Sequence, residues 1–444
     1  MSAVQPQPLT SSRSKPLKGE ITPPGDKSIS HRAVMLGGIA EGTTEIHGLL
    51  EGEDVLCTVD ALIALGAEVS KDSNSVWRIK GRGLEGLREP AQIFNMGNSG
   101  TAARLLMGLL AGRPFNSSFT GDASLCKRPM GRVITPLEQM GVSFASEQGR
   151  MPLTLTGAKK PKPIAYHLPV ASAQVKSAIL LAGLSAEGTT TVIESIPTRD
   201  HSENMLRCFG VDIKIEKQAD GAEAISVTGP AQLRAQTIHV PADPSSAAFP
   251  LVAALLNPGS QITLRGVGLN PRRTGLFTTL QEMGGKISIL NRREEGGEPV
   301  GDLVVEGSAL KGVTVPPERA PSMIDEYPIL GMAAACAQGT TRMLGLGELR
   351  VKESDRLALV ADGLQRCGVK LEIQGDDLII HGTGKPPQGG TTVATAMDHR
   401  IAMSFLVLGG VTEKPVTIDD GSFITTSFPR FISLMNRLGA DIKG

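Results

Sequence analysis

Apolar and polar positions along the 444-residue chain alternate in a pattern that repeats. A helix-like apolar segment leads into a turn and then into strand-like alternation. The turn words are nearly identical at Ala40-Glu41-Gly42-Thr43-Thr44, Ala186-Glu187-Gly188-Thr189-Thr190 and Ala337-Gln338-Gly339-Thr340-Thr341. Weaker copies at Ala111-Gly112, Pro258-Gly259 and Glu413-Lys414 complete six units of about 74 residues, too long for a simple solenoid. A second marker keeps the same period: a helical pattern closes on a hydrophobic residue plus glycine at Leu65-Gly66, Met140-Gly141, Phe209-Gly210, Met283-Gly284, Cys367-Gly368 and Leu438-Gly439. Glycine there suits a helix C-cap, and strand-like alternation follows each one. In units three to five the first helix, at residues 178–184, 247–256 and 329–337, is apolar almost all round, which predicts full burial. The pattern therefore predicts an α/β fold of two domains, three units each, with helices inside and strands outside. The proline-rich break at 241–244 and its mate at Pro23-Pro24-Gly25 divide the chain into residues 1–24 with 242–444, and residues 25–241.

Length agrees, since 444 residues exceed one ordinary core and suggest two domains of roughly 200. The 45 basic and 45 acidic residues cancel, and three per cent aromatic content leaves no stacking platforms, which together argue against nucleic acid as a partner. No apolar run is long enough to cross a bilayer and the first residues lack a secretory apolar core, so the expectation is a cytoplasmic protein without a membrane partner. Residues 1–18 carry Arg13, Lys15 and Lys18 and read as a frayed tail rather than a targeting segment. Five scattered cysteines indicate neither a disulfide framework nor a thiolate metal site.

Candidate chemistry sits at helix starts. The run Pro24-Gly25-Asp26-Lys27-Ser28-Ile29-Ser30-His31-Arg32 reads as an anion site, with Ser28 as N-cap and Lys27, Ser28 and Arg32 beside the positive end of a helix. Further polar breaks occur at residues 97–104, 125–132, 172–176, 198–201, 324–326, 352–356 and 398–400. If the inner helices aim their N-termini at a shared cleft, a neutral protein holds a positive pocket there. The one Gly285-Lys286 lacks the other residues of a phosphate-binding loop, and the histidines lack ligand spacing, so neither a nucleotide cofactor nor a metal is expected.

Lys27-Ser28 with Arg32, Asn98-Ser99-Gly100-Thr101, Ser172-Ala173-Gln174, Lys352-Glu353-Ser354-Asp355-Arg356 and Asp398-His399-Arg400 together resemble the 5-enolpyruvylshikimate-3-phosphate synthase family, from about residue 18 to the end. The resemblance implies two domains of three βαβαββ units, an inside-out α/β barrel. It implies transfer of the enolpyruvyl group of phosphoenolpyruvate to the 5-hydroxyl of shikimate 3-phosphate, by a monomer, without cofactor. By the same resemblance Lys27, Ser28, Arg32, Ser172, Ala173, Gln174, Arg199, Asp325 and Lys352 contact shikimate 3-phosphate. Lys27, Gly100, Arg128, Gln174, Arg356 and Arg400 contact phosphoenolpyruvate, and Asp325, Glu353 and Lys27 carry the catalysis. Gly100 is the position where alanine goes with tolerance of glyphosate in this family.

The chain departs from the family pattern in places. Thr426 stands where many members have a lysine before the final Phe-Pro, and Arg199 replaces a serine and tyrosine of another branch. The related UDP-N-acetylglucosamine enolpyruvyltransferases typically have Lys-Asn at the first motif and a reactive cysteine several residues before the arginine. Here the pair is Lys27-Ser28, and Cys126 lies two residues before Arg128. A non-catalytic anion binder on the same repeats would have no use for Asp325, Glu353 and Lys27 together.

Overall fold

The apolar segments that open the six repeats form helices, and they are the most deeply buried elements of the protein. The computed structural model describes residues 6–444. Its contacts divide the chain into two units. One, the middle unit, holds Gly25–Val240 with Glu295–Glu298; the other, the flanking unit, holds the residues before Gly25 with Pro241–Glu294 and Pro299–Gly444.

In the middle unit the inner helices are Lys27–Ile39, Gly100–Leu110 and Ala173–Gly183. In the flanking unit they are Pro244–Leu256, Tyr327–Cys336 and His399–Gly409. Leu105, Leu106, Leu109 and Leu110 are all fully enclosed, each worth about 1.5–3 kcal/mol of burial. The second helices of the repeats, such as Glu53–Ala64 and Arg356–Arg366, are amphipathic and bury one face. The six marker glycines, Gly66, Gly141, Gly210, Gly284, Gly368 and Gly439, all have φ between 85° and 115°. A side chain would strain that backbone, which is why the repeat keeps glycine there.

Every repeat ends in a four-stranded sheet of one order. In the third, Ala165–His167 runs parallel to Gly188–Glu194, which pairs antiparallel with Glu223–Gly229, which in turn pairs antiparallel with Ile213–Lys217. The first repeat borrows its parallel strand, Thr237–His239, from the end of the middle unit. Residues 9–21 carry strands too, contrary to the frayed tail expected for residues 1–18 from their polar composition; of these, residues 1–5 lie outside the described residues. Lys18–Ile21 is the parallel strand of the fourth repeat, beside Gln261–Gly268. Leu9–Ser12 is an inner strand of the sixth sheet, antiparallel to both Val416–Ile418 and Asp441–Lys443. A four-residue strand of Leu-Thr-Ser-Ser offers too little apolar alternation to be recognised alone; its two ladders supply what its sequence lacks. Among the described residues no helix is long and apolar enough to cross a membrane.

Close helix packing in the middle unit depends on Gly108, where a Cβ would lie 2.2 Å from the Ala178 carbonyl oxygen and 2.6 Å from its Cα. Both are backbone atoms, so relief requires the Gly100–Leu110 and Ala173–Gly183 helices to separate. Gly108→Ala is expected to cost about 3 kcal/mol in urea unfolding. Gly131→Ala, with nothing within 4 Å of the added carbon, should leave stability within about 1 kcal/mol.

Candidate active site

The sequence-predicted residues form two sets, one on each unit. In the middle unit the first helix begins at Lys27 and its cap is Asp26, not Ser28: Asp26 Oδ1 accepts from the Ile29 N–H at 2.9 Å. Aspartate satisfies the same orphan donor with a full negative charge, and Ser28 falls inside the first turn instead. Lys27 pairs with Asp54, which is 3 % exposed. Arg32 is buried and braced by neutral acceptors, with Nε donating to Ser202 Oγ at 2.7 Å, Nη2 to Ser177 Oγ at 2.8 Å and Nη1 to the Ser28 carbonyl at 2.9 Å. Those bonds use three of the five guanidinium N–H groups and leave two for a ligand. Burial pulls the guanidinium down to about 10, Glu203 offsets part of that, and Arg199 adds to the lowering. Arg32 and Arg199 thus share one electrostatic neighbourhood, and Arg32 stays cationic at neutral pH.

Ser172 caps the third inner helix through the Val175 N–H, which places Ala173 and Gln174 in its first turn. Ser99 caps the second through the Ala102 N–H at 3.1 Å, which places Gly100 at the helix start. His31 lies between, with Nδ1 2.7 Å from Thr58 Oγ1 and Nε2 3.3 Å from Ser99 Oγ. Burial first, then Lys27 and Arg32, hold its pKa well below the usual histidine value, so it is neutral at pH 7. Arg128 is buried against Asn98, donating to its side-chain oxygen at 2.6 Å and its carbonyl at 3.2 Å, while its neighbour Lys127 is exposed. Gln174 links the two helix starts: its oxygen accepts from Arg104 at 2.8 Å and its amide donates to Thr101 at 2.9 Å. A Cβ on Gly100 would come within 2.6 Å of Arg104 Nη1 and 3.3 Å of Arg128 Nη1.

The flanking unit has the opposite arrangement: one cation surrounded by acids. Arg356 is fully buried. Its Nε donates to Asp398 Oδ2 at 2.8 Å and Nη2 to Asp398 Oδ1 at 3.3 Å; Nη2 also lies 2.5 Å from Glu353 Oε2, and Nη1 3.2 Å from Asp325 Oδ1. Four of its five N–H groups are engaged, and although burial disfavours the charge, Asp398, Glu353 and Asp325 raise its pKa above the ordinary arginine value. Asp398 also accepts from Ser354 Oγ at 2.9 Å and caps the His399–Gly409 helix through the Arg400 N–H. The chain reaches this cap through Ala396 and Met397, two consecutive left-handed residues at φ 48° and 63°, a strained turn worth about 1–2 kcal/mol per residue. Arg400 reaches back to the Asp325 carbonyl at 3.5 Å and lies 3.8 Å from Glu326. Lys352 follows the Gly347–Val351 turn, adjacent to Glu353 and partly exposed.

Thr426, at the departure noted above, is 5 % exposed and donates to the Phe423 carbonyl at 2.7 Å. The Cys126 thiol donates to the Gly121 carbonyl. Among the described residues, one group of metal-ligand type is close together, Asp200, His201 and Glu298, with His201 Nδ1 2.8 Å from Glu298 Oε1. Sequence reasoning named Asp398 only as part of a motif and missed its role as counter-ion to Arg356; its place before a helix of buried apolar residues was the available signal. It missed Ser177 and Ser202 as supports of Arg32 altogether, because single serines carry no pattern.

The family model for EPSP synthase (3-phosphoshikimate 1-carboxyvinyltransferase) matches residues 12–435. The chain is 60% identical over 442 residues to a 3-phosphoshikimate 1-carboxyvinyltransferase of Paramagnetospirillum magneticum, covering 99% of each. It is 63% identical over 422 residues to that of Granulibacter bethesdensis, covering 95% of this chain and 93% of the other. The solved EPSP synthase from Acinetobacter baumannii superposes with a TM-score of 0.86 at 46% identity, over 99% of this chain and 100% of that one.

Asp398→Ala strips a fully buried guanidinium of two bonds and a helix of its cap, so it should lower the unfolding free energy by about 3 kcal/mol in urea. Ser354→Ala removes one donor from the same carboxylate and should cost under about 1.5 kcal/mol.

Proposed function

The chain belongs to the EPSP synthase (3-phosphoshikimate 1-carboxyvinyltransferase) family, and on that premise we propose how its residues divide the reaction. The enzyme transfers the enolpyruvyl group of phosphoenolpyruvate to the 5-hydroxyl of shikimate 3-phosphate. In the addition step a proton joins the methylene carbon while the 5-oxygen bonds to the adjacent carbon and loses its own proton. In the elimination step the new methyl group gives up a proton and the phosphate leaves with the bonding electrons.

Each substrate carries a phosphate and a carboxylate, and cations must offset their mutual repulsion. Lys27, Ser28, Arg32, Ser172, Ala173, Gln174 and Arg199, with Asp325 and Lys352, take shikimate 3-phosphate. Lys27, Gly100, Arg128, Gln174, Arg356 and Arg400 take phosphoenolpyruvate. The two spare N–H groups of Arg32 support its place in this assignment. Arg356 has a single N–H left for the donor substrate, so its larger task is to aim the acids. The observation that carries the reading is that Asp325 and Glu353 pair with the same Arg356 guanidinium, which fixes two proton carriers relative to one another. Lys27, paired with Asp54, assists at the bridging position. The same reading takes the protein to be a cytoplasmic monomer.

Phosphate release from phosphoenolpyruvate tests the assignment: it should require shikimate 3-phosphate and fail with UDP-N-acetylglucosamine, and the reverse result overturns it. Glu353→Gln should lose about 10²-fold or more in kcat while calorimetry finds shikimate 3-phosphate binding nearly unchanged. Loss of binding with turnover intact would remove Glu353 from the proton path.

The enzyme should be inhibited by glyphosate in competition with phosphoenolpyruvate. Gly100→Ala presses a methyl group toward the guanidinium tips of Arg104 and Arg128, which narrows the subsite. It should raise the inhibition constant at least about tenfold more than the KM of phosphoenolpyruvate, since the longer ligand meets the narrowing first.

A further inference from the structure

The Ala173–Gly183 helix holds a charge that the reaction as assigned does not use. Lys176 is fully buried, with Nζ 2.9 Å from Glu194 Oε1 and 2.7 Å from Glu203 Oε1, both acids buried as well. Its helix is otherwise apolar from Val175 through Gly183 apart from Ser177. Burying one ammonium and two carboxylates carries a large desolvation penalty, and apolar residues of similar size would serve stability as well or better. Stability alone therefore does not account for the group.

Its contacts lead to the acceptor site. Glu194 accepts from the Thr198 N–H at 3.1 Å and from Thr198 Oγ1 at 2.7 Å, and Lys176 Nζ reaches the Thr198 carbonyl at 3.4 Å. That turn delivers the next residue, Arg199. Glu203 directly follows Ser202, whose hydroxyl accepts from Arg32 Nε and donates to Ser177 Oγ at 2.7 Å. Ser177 directly follows Lys176 and accepts from Arg32 Nη2. Lys176, Glu194 and Glu203 are thus tied to the groups that hold Arg32 and Arg199.

We propose that Lys176 and Glu194 position the two arginines assigned to the acceptor, Lys176 by holding the Glu203 carboxylate and Glu194 by holding the turn before Arg199. The Lys176 ammonium pairs with Glu194, whose two bonds to Thr198 hold the turn that delivers Arg199. It also occupies the Glu203 carboxylate, which otherwise turns to Arg32, the neighbouring cation on which it already acts, and competes with the anionic ligand for it. The proposal rests on the assignment of Arg32 and Arg199 to shikimate 3-phosphate given above.

Two double variants that remove the same charges separate positioning from bulk stability. Lys176→Met/Glu194→Gln leaves Glu203 as the only acid of the group and should raise the KM for shikimate 3-phosphate about tenfold, with the KM for phosphoenolpyruvate changed less than about threefold. Lys176→Met/Glu203→Gln leaves Arg32 without its competitor and Glu194 bonded to Thr198, and its KM for shikimate 3-phosphate should stay within about threefold of the parent. Equal effects of the two doubles, or a parallel rise in both KM values, overturn the positioning role while leaving the function intact. A parent enzyme that does not turn over shikimate 3-phosphate in the same assay overturns the function and this inference together.

Discussion

Each inner helix is buried from about its second turn onward, and that constraint decides where chemistry can stand in this chain. A helix surrounded by apolar neighbours cannot carry polar side chains along its length unless each finds a partner, so they collect at the first turn, where backbone N–H groups are still unsatisfied. Asp26, Ser99, Ser172, Asp243 and Asp398 cap five of the six inner helices with their side chains. Lys27 and Ser28, Gly100, Ala173 and Gln174, and Arg400 follow those caps within one turn. The sixth inner helix, Tyr327–Cys336, has no side-chain cap, and Asp325 precedes it by two residues. Lys176, beyond the first turn, is an exception, as Arg32 is, and the two carboxylates around Lys176 show what such an exception requires.

The two residue sets use charge in opposite ways. In the middle unit Arg32 is braced by two hydroxyls and a carbonyl, which orient a guanidinium without neutralising it. Positive potential is left over for anionic ligands. In the flanking unit Arg356 is surrounded by three carboxylates, so the local charge is negative and the guanidinium acts as a template that sets the acids' spacing. A chain whose formal charges sum to zero can hold both because each arrangement is local.

The pattern of the sequence was enough to read the repeat, the buried helices, the glycine-capped turns and the helix starts that carry the candidate residues. All of these are local signals: a 3.6-residue period, a cap two or three residues from its donor, a glycine at positive φ. Gly66 to Gly439 could be named in advance because a side chain is strained at that backbone whatever surrounds it. Ser28 marks the limit of such reasoning, since two good capping residues stood within three positions and only the backbone geometry at Asp26 chose between them.

What tertiary structure decided is everything that depends on partners distant in sequence. Leu9–Ser12 is a strand because Val416–Ile418 and Asp441–Lys443 flank it, not because of its own four residues. Arg356 came from the sequence as a cation for the donor substrate; only the fold shows that Asp398, Glu353 and Asp325 already hold most of its donors. Lys176 looked like one more polar residue at a helix start, until folding brought Glu194 and Glu203 around it. Periodicity records which face of an element is buried, because burial acts on each residue in turn. Which charge meets which depends on chain segments that come together only when the backbone closes, and no local pattern encodes that.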